Sequence, residues 1–91
     1  MEAFALSNTE KNRTTVDIYG QRYVIVGTES SGHVKYVASL VDDKMREISS
    51  KNPLLDASKL AVLTAVNAVN DYLKIKDELE RLQAELQKEK D

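Results

Sequence analysis

Residues 56–91 read DASKLAVLTAVNAVNDYLKIKDELERLQAELQKEKD, without a glycine or a proline. Asp56 can cap a helix by accepting a backbone N–H bond, and nothing after it breaks one. The stretch predicts one long helix whose apolar pattern changes halfway. From Leu60 to Leu73 apolar residues fall on nearly every side. From Lys74 onward only a narrow seam stays apolar among charges. An all-round apolar helix is buried, whereas a narrow seam meets another helix. The first half is therefore expected to pack on its own head, and the second half only on another chain.

In heptads, Tyr72, Leu79 and Leu86 fall at a, and Ala68, Ile75, Leu82 and Glu89 at d. Ala61 and Ala65 extend the seam upstream. A second stripe, Val62, Val66, Val69 and Leu73, leans to one side and is expected to face the head. Asp71, Glu78 and Glu85 occupy g; Lys76, Gln83 and Lys90 occupy e. A parallel pair sets Asp71 against Lys76 and Glu85 against Lys90, whereas an antiparallel pair sets acid against acid. The pattern predicts a parallel dimer through Leu63, Val66, Val69, Tyr72, Ile75, Leu79, Leu82 and Leu86. A head of about sixty residues cannot cover about 50 Å of helix. The distal heptads are too few to associate strongly alone, so most of the interface is expected between Leu60 and Leu73. Asn67 and Asn70 interrupt that stretch, either fixing register or bonding locally.

Upstream, Thr15-Val16-Asp17-Ile18-Tyr19 alternates, and Arg22-Tyr23-Val24-Ile25-Val26 is β-branched and aromatic. The two residues between them, Gly20-Gln21, predict a hairpin with a type II′ turn in which Gly20 supplies the positive φ. Val34, Val37, Ala38, Val41, Met45 and Ile48 then recur at three and four, giving an amphipathic helix over 31–50. Ser30 or Ser31 can cap it, and Lys51-Asn52-Pro53 ends it. The fold class is α+β: a small head with a two-stranded β-hairpin and an amphipathic helix, then a long C-terminal helix forming a dimeric coiled coil. The divisions are 1–12, a flexible N-terminal arm; 13–73, the dimerising head; and 74–91, the coiled-coil extension.

The chemistry of most enzymes is missing from the sequence. The chain has 91 residues, a net charge of −2 and no cysteine. Residues 1–70 carry eight acids and eight bases, whereas a nucleic-acid module carries a basic excess. No segment approaches the roughly 20 apolar residues of a membrane span. Phe4-Ala5-Leu6 is too short for a secretory leader, which predicts a cytoplasmic protein. His33, the only histidine, reads as exposed or cap-adjacent. Asp42-Asp43 and Glu47 sit beside Lys44 and Arg46 and read as a solvated helix face with i,i+4 pairs. Neither a phosphate-binding glycine loop nor a metal-ligand cluster is present, so no catalysis, cofactor or metal is expected.

Three segments resemble the ZapA family of bacterial cell-division proteins, particularly its shorter Gram-positive members. They are Arg13-Thr14-Thr15-Val16-Asp17-Ile18-Tyr19-Gly20-Gln21, Val41-Asp42-Asp43-Lys44-Met45-Arg46-Glu47-Ile48, and Leu55-Asp56 through Lys59-Leu60-Ala61-Val62-Leu63-Thr64-Ala65-Val66-Asn67 to Asp71-Tyr72. The resemblance implies dimerising α/β heads with a C-terminal coiled coil. It also implies FtsZ as partner, cross-linking of FtsZ filaments and stabilisation of the division ring at mid-cell. Longer members join two dimers into a tetramer; a tail ending soon after Leu86 puts that step in question here. The resemblance suggests contacts toward the end of the first helix and the following loop, where this chain offers Lys44, Arg46, Lys51 and Lys59. A generic dimeric coiled-coil adaptor is the alternative. A nucleic-acid-binding dimer and a small enzyme built around His33 or Asp42-Asp43 are the more distant ones.

Overall fold

The β-branched runs pair as strands, and the sheet they form has one member more than the sequence predicts. The computed structural model describes residues 3–5 and 12–90 of the chain. Strand β2 (Asn12–Ile18) is antiparallel to β3 (Gln21–Gly27), with Thr14 opposite Ile25, Val16 opposite Tyr23 and Ile18 opposite Gln21. A short strand β1 (Ala3–Ala5) lies parallel to β3, with Phe4 opposite Ile25, and the sheet order is β1-β3-β2. Residues 3–5 are therefore part of the sheet and not of a flexible arm. Phe4 explains the docking: its ring meets Tyr23 edge-on at 5.6 Å between centroids, a favoured aromatic geometry. The rest of the expected arm, apart from Asn12 in β2, lies outside the described residues.

The turn also differs from expectation. Its two central residues are Tyr19 and Gly20, at φ 49° and 77°, and positive φ at both positions marks a type I′ turn. Glycine adopts this conformation freely, whereas tyrosine needs support. The Tyr19 N–H donates to Asp42 Oδ1 at 2.6 Å, its hydroxyl hydrogen-bonds Ser49 Oγ at 2.9 Å, and its ring lies under Arg46 at 5.5 Å. These tertiary contacts shift the turn one residue upstream.

Helix α1 (Ser31–Lys51) begins where Ser30 Oγ accepts the His33 N–H at 3.2 Å. His33 is thus the third residue of a capped helix. Val34 and Ala38 pack with Val16 against Ile18, Tyr23 and Ile25. Farther along, Met45 and Ile48 pack with Leu60. Val37, expected on this buried face, stays partly exposed at its edge. Asn52 caps the C-terminus, its side-chain amide donating to the Ile48 carbonyl at 2.9 Å.

After Pro53, Asp56 Oδ1 accepts the Lys59 N–H at 2.8 Å and starts α2 (Ala57–Lys90). Its 34 residues extend about 51 Å. The radius of gyration is 17.1 Å, against roughly 12 Å for a compact chain of this length. The distal part of α2 therefore projects from the head.

Candidate interaction surfaces

The face that α2 turns to its own head comprises Leu60, Leu63, Thr64 and Asn67. Leu60 is 1% exposed and Thr64 is buried, with Leu63 and Asn67 half-buried. Two polar residues can occupy this face because each bonds to its own helix. Thr64 Oγ1 donates to the Leu60 carbonyl at 2.8 Å, and Asn67 Nδ2 to the Leu63 carbonyl at 2.9 Å. Such i−4 bonds satisfy a hydroxyl or amide without a partner chain, so Asn67 takes the local of its two expected roles.

The stripe expected to face the head points elsewhere. Val62 is 64% exposed, and Val66, Val69 and Leu73 are also exposed. At about 100° per residue, these four lie on the far side of the helix from Leu60. The seam residues Tyr72, Ile75, Leu79, Leu82 and Leu86 are all about half exposed or more. Of the residues expected to mediate self-association, only Leu63 also packs in its own head. A run of exposed large apolar side chains along one helix marks an interaction surface.

The charges beside the seam are partly committed within the chain. Asp71 accepts from Lys44 Nζ at 3.2 Å, a bridge from α1 to α2, so it does not depend on Lys76 of a second copy. Arg81 binds Glu85 at 2.6 Å and also pairs with Glu78. That hydrogen bond from Arg81, together with its charge, holds the Glu78 carboxyl below its ordinary value. The expected pairing of Glu85 with Lys90 therefore competes with an intrachain bond.

The four basic candidates separate into different environments. Lys44 is half-buried and braces α2 through Asp71. Arg46 is exposed, with Nε donating to Asp42 Oδ2 at 2.9 Å. This bond, and the Tyr19 N–H on the other carboxylate oxygen, lower the Asp42 pKa; the Asp42 hydrogen bond raises that of Arg46. Asp42 thus clamps the hairpin turn onto α1, a role beyond that of a solvated face charge. Lys51 ends α1 and Lys59 lies in the first turn of α2, so these two exposed lysines flank the interhelical turn.

Between them stands Leu54, 98% exposed, which the sequence reading did not single out. A lone leucine after a proline carries no periodic signal, and only its place at the apex of the turn distinguishes it. Tyr36 and Leu40, exposed on α1, were also missed, although their i,i+4 spacing was visible. Among the described residues no group of histidines and acids could hold a metal, and no helix is long and apolar enough to cross a membrane.

Comparison with known proteins gives a consistent result. Residues 14–91 match the family model described as Cell division protein ZapA. The Cell division protein ZapA of Geobacillus sp. (strain WCH70) is 66% identical over 86 residues, covering 94% of this chain and 99% of that protein. That of Bacillus subtilis (strain 168) is 60% identical, covering 94% of this chain and 100% of the relative. Among solved structures, a ZapA mutant dimer from Geobacillus stearothermophilus matches with a TM-score of 0.66 and 52% identity, over 90% of this chain and 95% of that one.

Proposed function

This chain belongs to the ZapA family of cell division proteins, and we propose that it is a non-enzymatic homodimer that binds FtsZ filaments, bundles or cross-links them and stabilises the division ring. It acts in the cytoplasm at mid-cell. The observation that carries the reading is the line of exposed apolar residues on α2, from Val62 to Leu86. A second copy covers that line, and the dimer then carries every head site twice. Two sites on one filament make the second binding event intramolecular, raising avidity by about 10²–10⁴ when the geometry permits. Two sites facing apart bridge two filaments instead.

The head supplies the contacts. Arg46 is the first choice among the cations, because a guanidinium can bind a carboxylate with two parallel bonds and one edge of it is already oriented by Asp42. Lys51 and Lys59 stand on either side of Leu54 and offer charge around an apolar tip. Lys44 is the weakest candidate because it braces α2.

The test is pelleting of FtsZ polymers with and without this protein, at matched nucleotide and salt, with light scattering in parallel. Co-pelleting and increased scattering are expected only when nucleotide allows filaments to form. Arg46→Glu is expected to weaken co-sedimentation while dimer mass is unchanged; normal co-sedimentation by that variant removes Arg46 from the contact set. A dimer that neither pellets with filaments nor raises scattering contradicts the FtsZ assignment and leaves an adaptor for another protein.

A further inference from the structure

Helix α2 meets its own head over a short base and then runs on alone. Leu60 packs with Met45 and Ile48, and Leu63 and Val41 pack against that cluster. Thr64 and Asn67 continue the face, but their side chains bond only to their own helix. Beyond Asn67, among the described residues, the one hydrogen bond between α2 and the head runs from Lys44 Nζ to Asp71 Oδ2 at 3.2 Å. Glu47 Oε1 stands 4.0 Å from the same ammonium. Lys44 is therefore held between a carboxylate of its own helix and one of α2, with its side chain only 31% exposed.

The place of this pair gives it leverage. Along the helix axis Asp71 lies about 12 Å beyond Leu63, and Leu86 lies about 35 Å beyond it. A stiff helix that pivots at its apolar base multiplies any displacement of Asp71 about threefold at Leu86. A partly exposed ion pair adds little to folding stability, but at this distance from the pivot it restricts direction. The apolar base holds α2 on the head, whereas the charge pair limits how far it swings.

We propose that Lys44 and Asp71 form an electrostatic stay that sets the angle between the head and α2. The stay is a property of one chain. Its consequence rests on the homodimer reading above: with α2 held by a second copy, the heads swing instead, and the stay sets the spacing of the two head sites and of any filaments they bridge. Loss of the charge on Lys44 loosens that spacing without breaking the dimer.

The chain has no cysteine, so a pair of introduced cysteines can carry spin labels. Lys35 on α1 and Ala84 on α2 are exposed, and Ala84 lies at f, opposite the seam. Lys35→Cys/Ala84→Cys chains are labelled and diluted into a large excess of unlabelled chain, so that pulsed electron spin resonance reads only distances within one chain. Sedimentation gives the mass, and circular dichroism the helix content. A single narrow distance distribution is expected with Lys44 and Asp71 intact. Lys44→Glu, which faces Asp71 and Glu47 with a like charge, is expected to broaden the distribution and lengthen its mean by several ångströms, with dimer mass unchanged. Asp71→Asn, on the exposed surface of α2, is expected to broaden it less. The exchange of charges, Lys44→Glu with Asp71→Lys, is expected to restore the narrow distribution. A distribution unchanged in both single variants overturns the stay and leaves the apolar base in sole control of the angle. Broadening that the exchange does not reverse overturns it too, because packing of the Lys44 stem is then the cause. Monomeric mass with the expected broadening contradicts the homodimer reading and leaves the stay standing.

Discussion

Helices α1 and α2 are both amphipathic in sequence, but only one finds its cover within the chain. Helix α1 buries Val34, Ala38, Met45 and Ile48 against the sheet and the start of α2. Helix α2 is longer and richer in apolar residues. Leu60 is its only buried hydrophobic residue, while the large apolar residues beyond Leu63 remain exposed. The two helices differ in what stands beside them. An apolar stripe identifies a surface that must be covered, and the surrounding chain decides whether the cover is internal. A small domain buries a smaller share of its surface than a large one, so a second copy is the natural supplement.

The sharpest way to break the comparison is at the one α2 residue that behaves like those of α1. Leu60→Ala is expected to cost about 2–5 kcal/mol, measured by denaturant unfolding, because Met45 and Ile48 would lose their partner. A cost near that of a surface substitution would mean that the head core lies elsewhere. Next in size is the exposed seam. Leu79→Glu is expected to weaken association by about 2 kcal/mol, on the order of thirtyfold in Kd, while the head remains folded. Unchanged mass across micromolar concentrations would show that the distal heptads carry no assembly.

Gly20→Ala sharpens the account of the hairpin. A Cβ there meets nothing within 4 Å, but φ is +77°. The expected loss is purely conformational, about 1 kcal/mol, with dimer mass preserved. The smallest effect concerns Asp42, whose carboxyl is held below its ordinary value of 3.8 by Arg46 and the Tyr19 N–H. Because the folded value is the lower one, its contribution is full above pH 3.8 and is lost as pH falls through the folded value. Asp42→Asn is expected to flatten the acid limb of the stability profile in that window. An acid limb identical to that of the parent protein would remove Asp42 as its source.

Much of the head was legible because local pattern and tertiary role agree. The β-branched runs became strands, Ser30 and Asp56 capped the helices, and the three-and-four spacing located the buried face of α1. Where they disagree, the sequence misled. Polar Thr64 and Asn67 face the head because they bond to their own helix, and Val62 and Val66 face outward, which reverses the simplest reading of hydrophobicity. Tyr19 holds a left-handed conformation through contacts with residues more than twenty positions away. The strand β1 is three residues long and has no alternation from which to infer it. Of the interaction surfaces, the seam was visible as a heptad, but Leu54 and the bracing role of Lys44 depend on which elements meet.

Whether a second copy covers α2 decides how this protein is assembled. The most direct measurement is thermal unfolding followed by circular dichroism over a hundredfold range of protein concentration, with mass from sedimentation equilibrium at each end. A folded dimer that unfolds to separate chains must gain stability with concentration. The predicted result is a dimeric mass and a single transition whose Tm rises with concentration. A monomeric mass with a concentration-independent Tm would contradict the account, since α2 would then remain helical with its apolar residues exposed to water.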